Sequence, residues 1–135
     1  MNKAAFSLEK YRFEKIDIDY SKKTSPELDI SFSPSGRFNS VDSSYELNFT
    51  FLAHNSNPEA PFVKIVCLAI FQFEEKIAFT DIPSYFYRNS IAILFPYVRA
   101  FISTVTLQAN INPIILPTMN LSSLEAPLRD NTIQI

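Results

Sequence analysis

His54 and Cys67 are the only histidine and the only cysteine in the chain, and they are the first pair to test for chemistry. A histidine beside a thiol can act as base and nucleophile. Cys67, however, stands in the most apolar stretch, Ile65–Phe71, where a thiol behaves as a small hydrophobe. His54 falls on the polar face of a strand, beside a loop. The pair therefore reads as structural, no catalytic residue is assigned, and the protein is not expected to be an enzyme. One histidine and one cysteine also fall short of a usual zinc site, so neither a metal nor a cofactor is expected. Asp17, Asp19, Glu27 and Asp29 make a mildly acidic cluster around one loop. It reads first as a solvated loop, then as a contact for a basic partner, and last as a metal site. The single glycine, Gly36, excludes a phosphate-cradling glycine loop, because such loops need several residues free to take positive φ or to admit close backbone approach.

The aromatic residues are more informative. Thirteen Phe and six Tyr in 135 residues exceed what one small core comfortably encloses, so some aromatic surface is expected under another subunit or a partner. Tyr85, Phe86 and Tyr87 are consecutive, and neighbouring helical positions point about 100° apart. At least one of the three must face away from the core. The net charge of −2, without a basic stripe, gives no reason to expect nucleic acid. The lone cysteine suits a reducing compartment. The polar start and the shortness of the apolar runs around Ile65–Phe71 and Ile91–Tyr97 point to a cytoplasmic protein with no membrane insertion.

These residues must be carried by a scaffold that the apolar periods outline. Phe6 to Ile18 reads as a strand, with Phe6 and Leu8 sharing one face and Tyr11 and Phe13 the other; the change of phase predicts a bulge or two covered faces. Tyr20 to Pro26 reads as a loop. Leu28, Ile30 and Phe32 make a short half-buried strand that Pro34-Ser35-Gly36 ends, with loop continuing through Ser43. Tyr45 to Ala53 alternates cleanly. Asn55 to Pro61 suits a hairpin to the next strand, Phe62 to Phe73. That strand is apolar on both faces and so is central or lies under a partner. A short helical segment follows, from Asp81 or Ser84 through Asn89. The main helix, Ala92 to Gln108, has Pro96 in its first turn and an apolar stripe of Leu94, Val98, Phe101, Ile102, Val105 and Ala109, with Asn110 as its stop. The residues predict an α+β domain: a four-stranded antiparallel sheet with a long helix and a short helix packed on one face.

The segment Ile93-Leu94-Phe95-Pro96-Tyr97-Val98-Arg99 resembles the SecB family of preprotein-translocation chaperones, which carries a closely similar Leu-Phe-Pro-Tyr-Ala-Arg run at the start of its long helix. Pro117-Thr118-Met119-Asn120-Leu121-Ser122-Ser123-Leu124 is similar to the family's Ala-Pro-Val-Asn-Phe-Asp-Ala-Leu stretch, and the spacing between the two segments is also similar. The likeness spans Phe6 to Leu124, so the chain is expected to be a single SecB-like domain over residues 1–135, with its core at 6–124 and an extended or mobile tail at 125–135.

The resemblance implies an ATP-independent holdase that binds non-native polypeptides in apolar grooves, with a link to protein export. It also implies a homo-oligomer, a dimer or a dimer of dimers (a homotetramer), paired through the first strand and the long helix. Tyr11, Phe13, Tyr97, Phe101 and Val105 are the expected interface residues. The expected client-contacting residues are Tyr20, Leu28, Tyr85, Phe86, Leu121 and Leu124, apolar side chains at element ends and in loops. Two departures set the chain apart. The family member that delivers preproteins to the motor SecA is strongly acidic, and this chain is not. Glu125-Ala126-Pro127 is also expected to interrupt the C-terminal helix. Both argue against SecA as a partner and favour, as the alternative, a dedicated partner-binding protein such as an antitoxin-specific chaperone.

Overall fold

The computed structural model describes residues 5–116 and 120–135. Strands β1 (Phe6–Ile18), β2 (Asp29–Asn39), β3 (Ser44–His54), β4 (Val63–Phe73) and β5 (Thr132–Gln134) form one sheet in the order β1-β4-β3-β2-β5. β2, β3 and β4 make an antiparallel meander, and β1 crosses over to pair antiparallel with β4. A long helix, α1 (Ser84–Gln108), and a short one, α2 (Glu125–Asp130), follow the meander. The α+β class is as expected, but the sheet has five strands rather than four.

β1 shows why the apolar phase shifts along its sequence. Its register slips twice, between Leu8 and Lys10 and between Phe13 and Lys15. Each slip inserts one residue and turns the following side chains over. As a result Phe6, Leu8, Tyr11, Phe13, Ile16 and Ile18 all oppose odd-numbered residues of β4, from Phe73 to Val63. Those β4 residues are buried, so two bulges place every large apolar side chain of β1 on the core face. On the other face Lys10, Arg12 and Lys15 oppose Ile70, Leu68 and Val66. On that face Leu68 is buried while Val66 and Ile70 are half-buried.

β2 does not stop at Pro34. It continues to Asn39, with Pro34 opposite Phe49 and Gly36 opposite Leu47. N–H groups two residues apart point to the same side of a strand, and the Gly36 N–H donates outward, to the Asn131 carbonyl (3.1 Å). Pro34 therefore turns its missing donor to the outer edge, where no β3 bond is lost. Gly36 is needed for a different reason. A Cβ there would stand 1.8 Å from the Tyr45 hydroxyl, which crosses over it.

The two expected helical pieces are one helix. α1 runs 25 residues, with Pro96 in its interior rather than its first turn. Interior proline costs about 3 kcal/mol, whereas each buried large apolar side chain contributes roughly 1.5–3 kcal/mol. Phe86, Ile91, Leu94, Phe95, Val98 and Ile102 are all buried on the helix, so packing outweighs the break. Asn110, with φ 61°, ends the helix as expected. By length and composition alone α1 would suffice to cross a membrane, a possibility the short apolar runs had hidden. Its apolar face is used here against the sheet.

The C-terminal segment is not wholly extended, since it carries α2 and β5. Pro127 is the third residue of α2, and the first-turn N–H groups have no partner inside a helix, so it interrupts nothing. Leu128 is fully buried in the core. Thr132 then enters β5, which pairs parallel to β2 at Gly36–Phe38.

Candidate functional site

His54 and Cys67 are not brought together. Cys67 opposes Phe49, while His54 lies beyond the Ala53–Val63 pair, about 16 Å further along β3. The His54 Nδ1 is 2.9 Å from the Asn55 carbonyl. Cys67 is fully buried, and desolvation pushes its thiol up to about 11. Among the described residues no group of three His, Cys, Asp or Glu side chains is placed to hold a metal. In the acidic loop, the Asp19 carboxylate accepts from the Ser21 hydroxyl (2.6 Å) and N–H (3.1 Å). The Ser21 hydroxyl, helped by the Ser21 N–H and Lys22, holds the Asp19 pKa below its usual value against the opposing effect of desolvation.

That cap starts a single 3₁₀ turn, Tyr20–Lys22, at the crossover from β1 to β2. The rest of the crossover is clasped by Asn55. Its amide donates to the carbonyls of Ser25 (3.1 Å) and Glu27 (2.6 Å), and its Oδ1 accepts from the Thr24 N–H (2.7 Å). Thus fixed, the crossover holds Tyr20 with its ring centre 5.6 Å from that of buried Phe62, yet 62% exposed. Beside it opens a groove of about 500 Å³ whose walls include Tyr20, Leu28, Ile30, Phe62, Ile111 and Pro113. The charge in its lining comes from Lys23. Of the expected client-contacting residues, Tyr20 and Leu28 meet here. Ile30, Phe62 and Ile111 escaped sequence reasoning, because they join the groove only when the end of α1 folds beside the crossover. Asn55 had no signal beyond its place in a turn.

The other expected residues lie elsewhere. Phe86 is fully buried, with ring centres 4.7 Å from both Phe6 and Tyr45 and 5.0 Å from Phe73. It offers no surface, since it packs into the core at the end of the sheet where Phe6, Tyr45 and Phe73 meet. Tyr87 is buried as well, and desolvation raises its pKa. Tyr85 is the exposed member of the trio, at 38%. It stands at the opposite end of α1 from the groove, about 35 Å away along the helix axis. Leu121 and Leu124 are half-buried against the core in a short turn before α2. The part of the motif at Pro117, Thr118 and Met119 lies outside the described residues.

The expected interface residues do assemble. Tyr11 and Tyr97 have ring centres 4.8 Å apart, and Phe13 stacks on Phe101 at 3.9 Å. With Pro96 and Ala100 they line a shallow apolar depression of about 420 Å³ between β1 and α1. Tyr11 is 40% and Tyr97 46% exposed, and Val105, half-buried, is four residues on from Phe101 along the helix. This face adjoins the outer edge of β1, which ends the sheet.

Comparison with known proteins places this arrangement. The family model for SecB, preprotein translocase subunit SecB, matches residues 5–127. A Methanocaldococcus jannaschii relative, Uncharacterized protein MJ0357, is 57% identical over 42 residues, which are 31% of this chain and 27% of the relative's length. Among solved structures, the Mycobacterium tuberculosis Rv1957 SecB-like chaperone, in complex with a ChAD peptide from the Rv1956 HigA1 antitoxin, superposes with a TM-score of 0.67. The identity is 14%, and the match covers 85% of this chain and 88% of that one. A protein of unknown function from Streptococcus agalactiae gives a TM-score of 0.55 at 12% identity, covering 85% of this chain and 98% of the other.

Proposed function

The chain belongs to the SecB family, and we propose that it is an ATP-independent holdase for unfolded or non-native polypeptides. The observation that carries this reading is the groove beside Tyr20, where the largely exposed Tyr20 ring and the exposed Ile30, with half-buried Leu28 and Ile111, offer apolar surface between the polar side chains of Lys23, Asn110 and Asn112. An extended segment loses chain entropy on binding, so a run of shallow apolar contacts suits it better than one deep pocket. Binding unfolded over native chains lowers the free population available to aggregate, and no step in this requires nucleotide.

The proposal includes a homo-oligomer, a dimer or a dimer of dimers, joined through the Tyr11–Tyr97 face, and a cytoplasmic location. The near-neutral charge continues to argue against SecA as a partner. The test is fluorescence anisotropy with a labelled, permanently unfolded polypeptide in nucleotide-free buffer. Saturable binding that Tyr20→Ser weakens supports the reading; no binding by the folded protein contradicts it.

A second reading is a dedicated chaperone for one protein segment. It is favoured by the Mycobacterium tuberculosis fold relative, which is described with a peptide of a single antitoxin. Capture from the native cell lysate separates the two: many substoichiometric clients support a general holdase, and one stoichiometric partner supports the dedicated form.

A further inference from the structure

β5 lies beyond residue 127, where the match to the family model ends. It is three residues long and, among the described residues, pairs only with β2. The Gly36 N–H donates to the Asn131 carbonyl (3.1 Å) and the Ile135 N–H to the Phe38 carbonyl (2.8 Å). Its inward anchor is Thr132, whose hydroxyl donates to the Leu128 carbonyl (2.6 Å) and therefore accepts from the Tyr45 hydroxyl, also at 2.6 Å. Ile133 is 56% exposed, and Ile135 is exposed too. β5 is thus held by a short ladder and one hydroxyl rather than by buried apolar area, which places it among the elements that open most easily. Pro34 presents no donor to the same edge, so pairing past it is interrupted. The Gly36–Phe38 stretch is the part of the edge after Pro34 that is built to receive a strand.

We infer that this edge is a binding slot for an extended polypeptide and that β5 is its resident occupant, which a client strand must displace. The inference rests on the holdase reading and names a regulation of it. A segment added to a sheet edge gains main-chain bonds whatever its sequence, so β5 sets a threshold against weak or partly folded chains. The slot's one side-chain requirement is a small hydroxyl residue over the Tyr45 hydroxyl, where Thr132 now sits; a client segment with Ser or Thr at that position replaces β5 without leaving the buried phenol unpartnered.

Two variants test this with the labelled unfolded polypeptide as probe. Ile133→Pro removes a ladder donor from β5 at an exposed position and leaves Thr132 and Leu128 in place. It should bind the probe several-fold more tightly than the unaltered chain. Arg37→Cys with Ile133→Cys joins two residues that are register partners on exposed positions, at a separation a disulfide spans. Its oxidised form should bind more weakly than the same protein after reduction, and this comparison decides the matter alone if Ile133→Pro does not fold. Equal binding by the oxidised and reduced forms, or unchanged binding by a folded Ile133→Pro variant, overturns the inference and leaves the holdase reading standing. If no form binds the probe, the holdase reading falls and the inference with it.

Discussion

The Phe13 and Phe101 rings stack 3.9 Å apart, centre to centre, with their planes 12° from parallel, and tie the outermost long strand to the middle of α1. Both residues are half-buried, whereas the next helix residue, Ile102, is fully buried. The stack therefore belongs to the flank of the sheet–helix seam rather than to its centre.

This position separates assembly from folding. Phe101→Asp loses the stack, about 0.5–1.5 kcal/mol beyond area burial, but its carboxylate can reach solvent. We expect a folded protein of reduced stability whose mass by light scattering falls toward that of a monomer. Ile102→Asp places an unpaired carboxylate where no water reaches, at a cost of several kcal/mol, and should yield no cooperative unfolding transition. A Phe101→Asp variant that keeps the assembled mass would move the interface away from the β1–α1 face.

Gly36→Ala tests the approach of Tyr45 to β2. The added carbon would have to displace the phenol ring and break its bond to Thr132, so the expected loss is on the order of 2–4 kcal/mol by chemical denaturation. Tyr45→Phe removes the hydroxyl but leaves Thr132 its Leu128 partner, and should cost only about 1 kcal/mol. A Gly36→Ala loss no larger than that of Tyr45→Phe would mean that the ring shifts freely.

Tyr20→Ser should leave thermal stability almost unchanged, because the ring is mostly exposed, while weakening binding of an unfolded polypeptide several-fold. Tyr85→Ser, at the far end of α1, should alter neither. The reverse pattern would place the client surface around the start of α1.

Much of this arrangement was legible in the residues. β3 alternates so regularly that its faces follow from spacing alone, and the phase change between Leu8 and Tyr11 predicted a bulge or two covered faces where β1 contains two bulges. The failures share a physical origin, in that a local breaker was weighed without knowing what surrounds it. Pro34 reads as the end of a strand unless its nitrogen is known to face an open edge. Pro96 reads as a helix start unless the buried residues on both sides of it are counted, and Pro127 reads as a break unless Leu128 is known to be enclosed. The groove was legible in part: Tyr20 and Leu28 sit at element ends, but Ile111 joins them through a tertiary approach that no sequence period encodes. Phe86 was assigned to the client surface together with Tyr85 because both sit at the start of the helical segment, but the core encloses Phe86 and leaves Tyr85 exposed.

Cys67 gives the protein an alkaline limit. Burial pushes the folded thiol up to about 11, against 9.0 for an unperturbed thiol. Between these values the unfolded state binds fewer protons, so stability falls as pH rises. The two units amount to roughly 2–3 kcal/mol. Tyr45, raised by burial, adds a loss of the same sign at higher pH. Urea unfolding measured from pH 8 to 11 should show the decline, and Cys67→Ala should flatten its first part. An unchanged decline in Cys67→Ala would assign it to other groups.

The central claim is that the groove beside Tyr20 serves to hold non-native chains without nucleotide. Aggregation of a chemically denatured reporter enzyme, followed by light scattering on dilution into ATP-free buffer, tests it most directly. A several-fold molar excess of this protein is predicted to suppress the scattering, and Tyr20→Ser to suppress it less. Full aggregation in the presence of the folded, assembled protein would contradict the account.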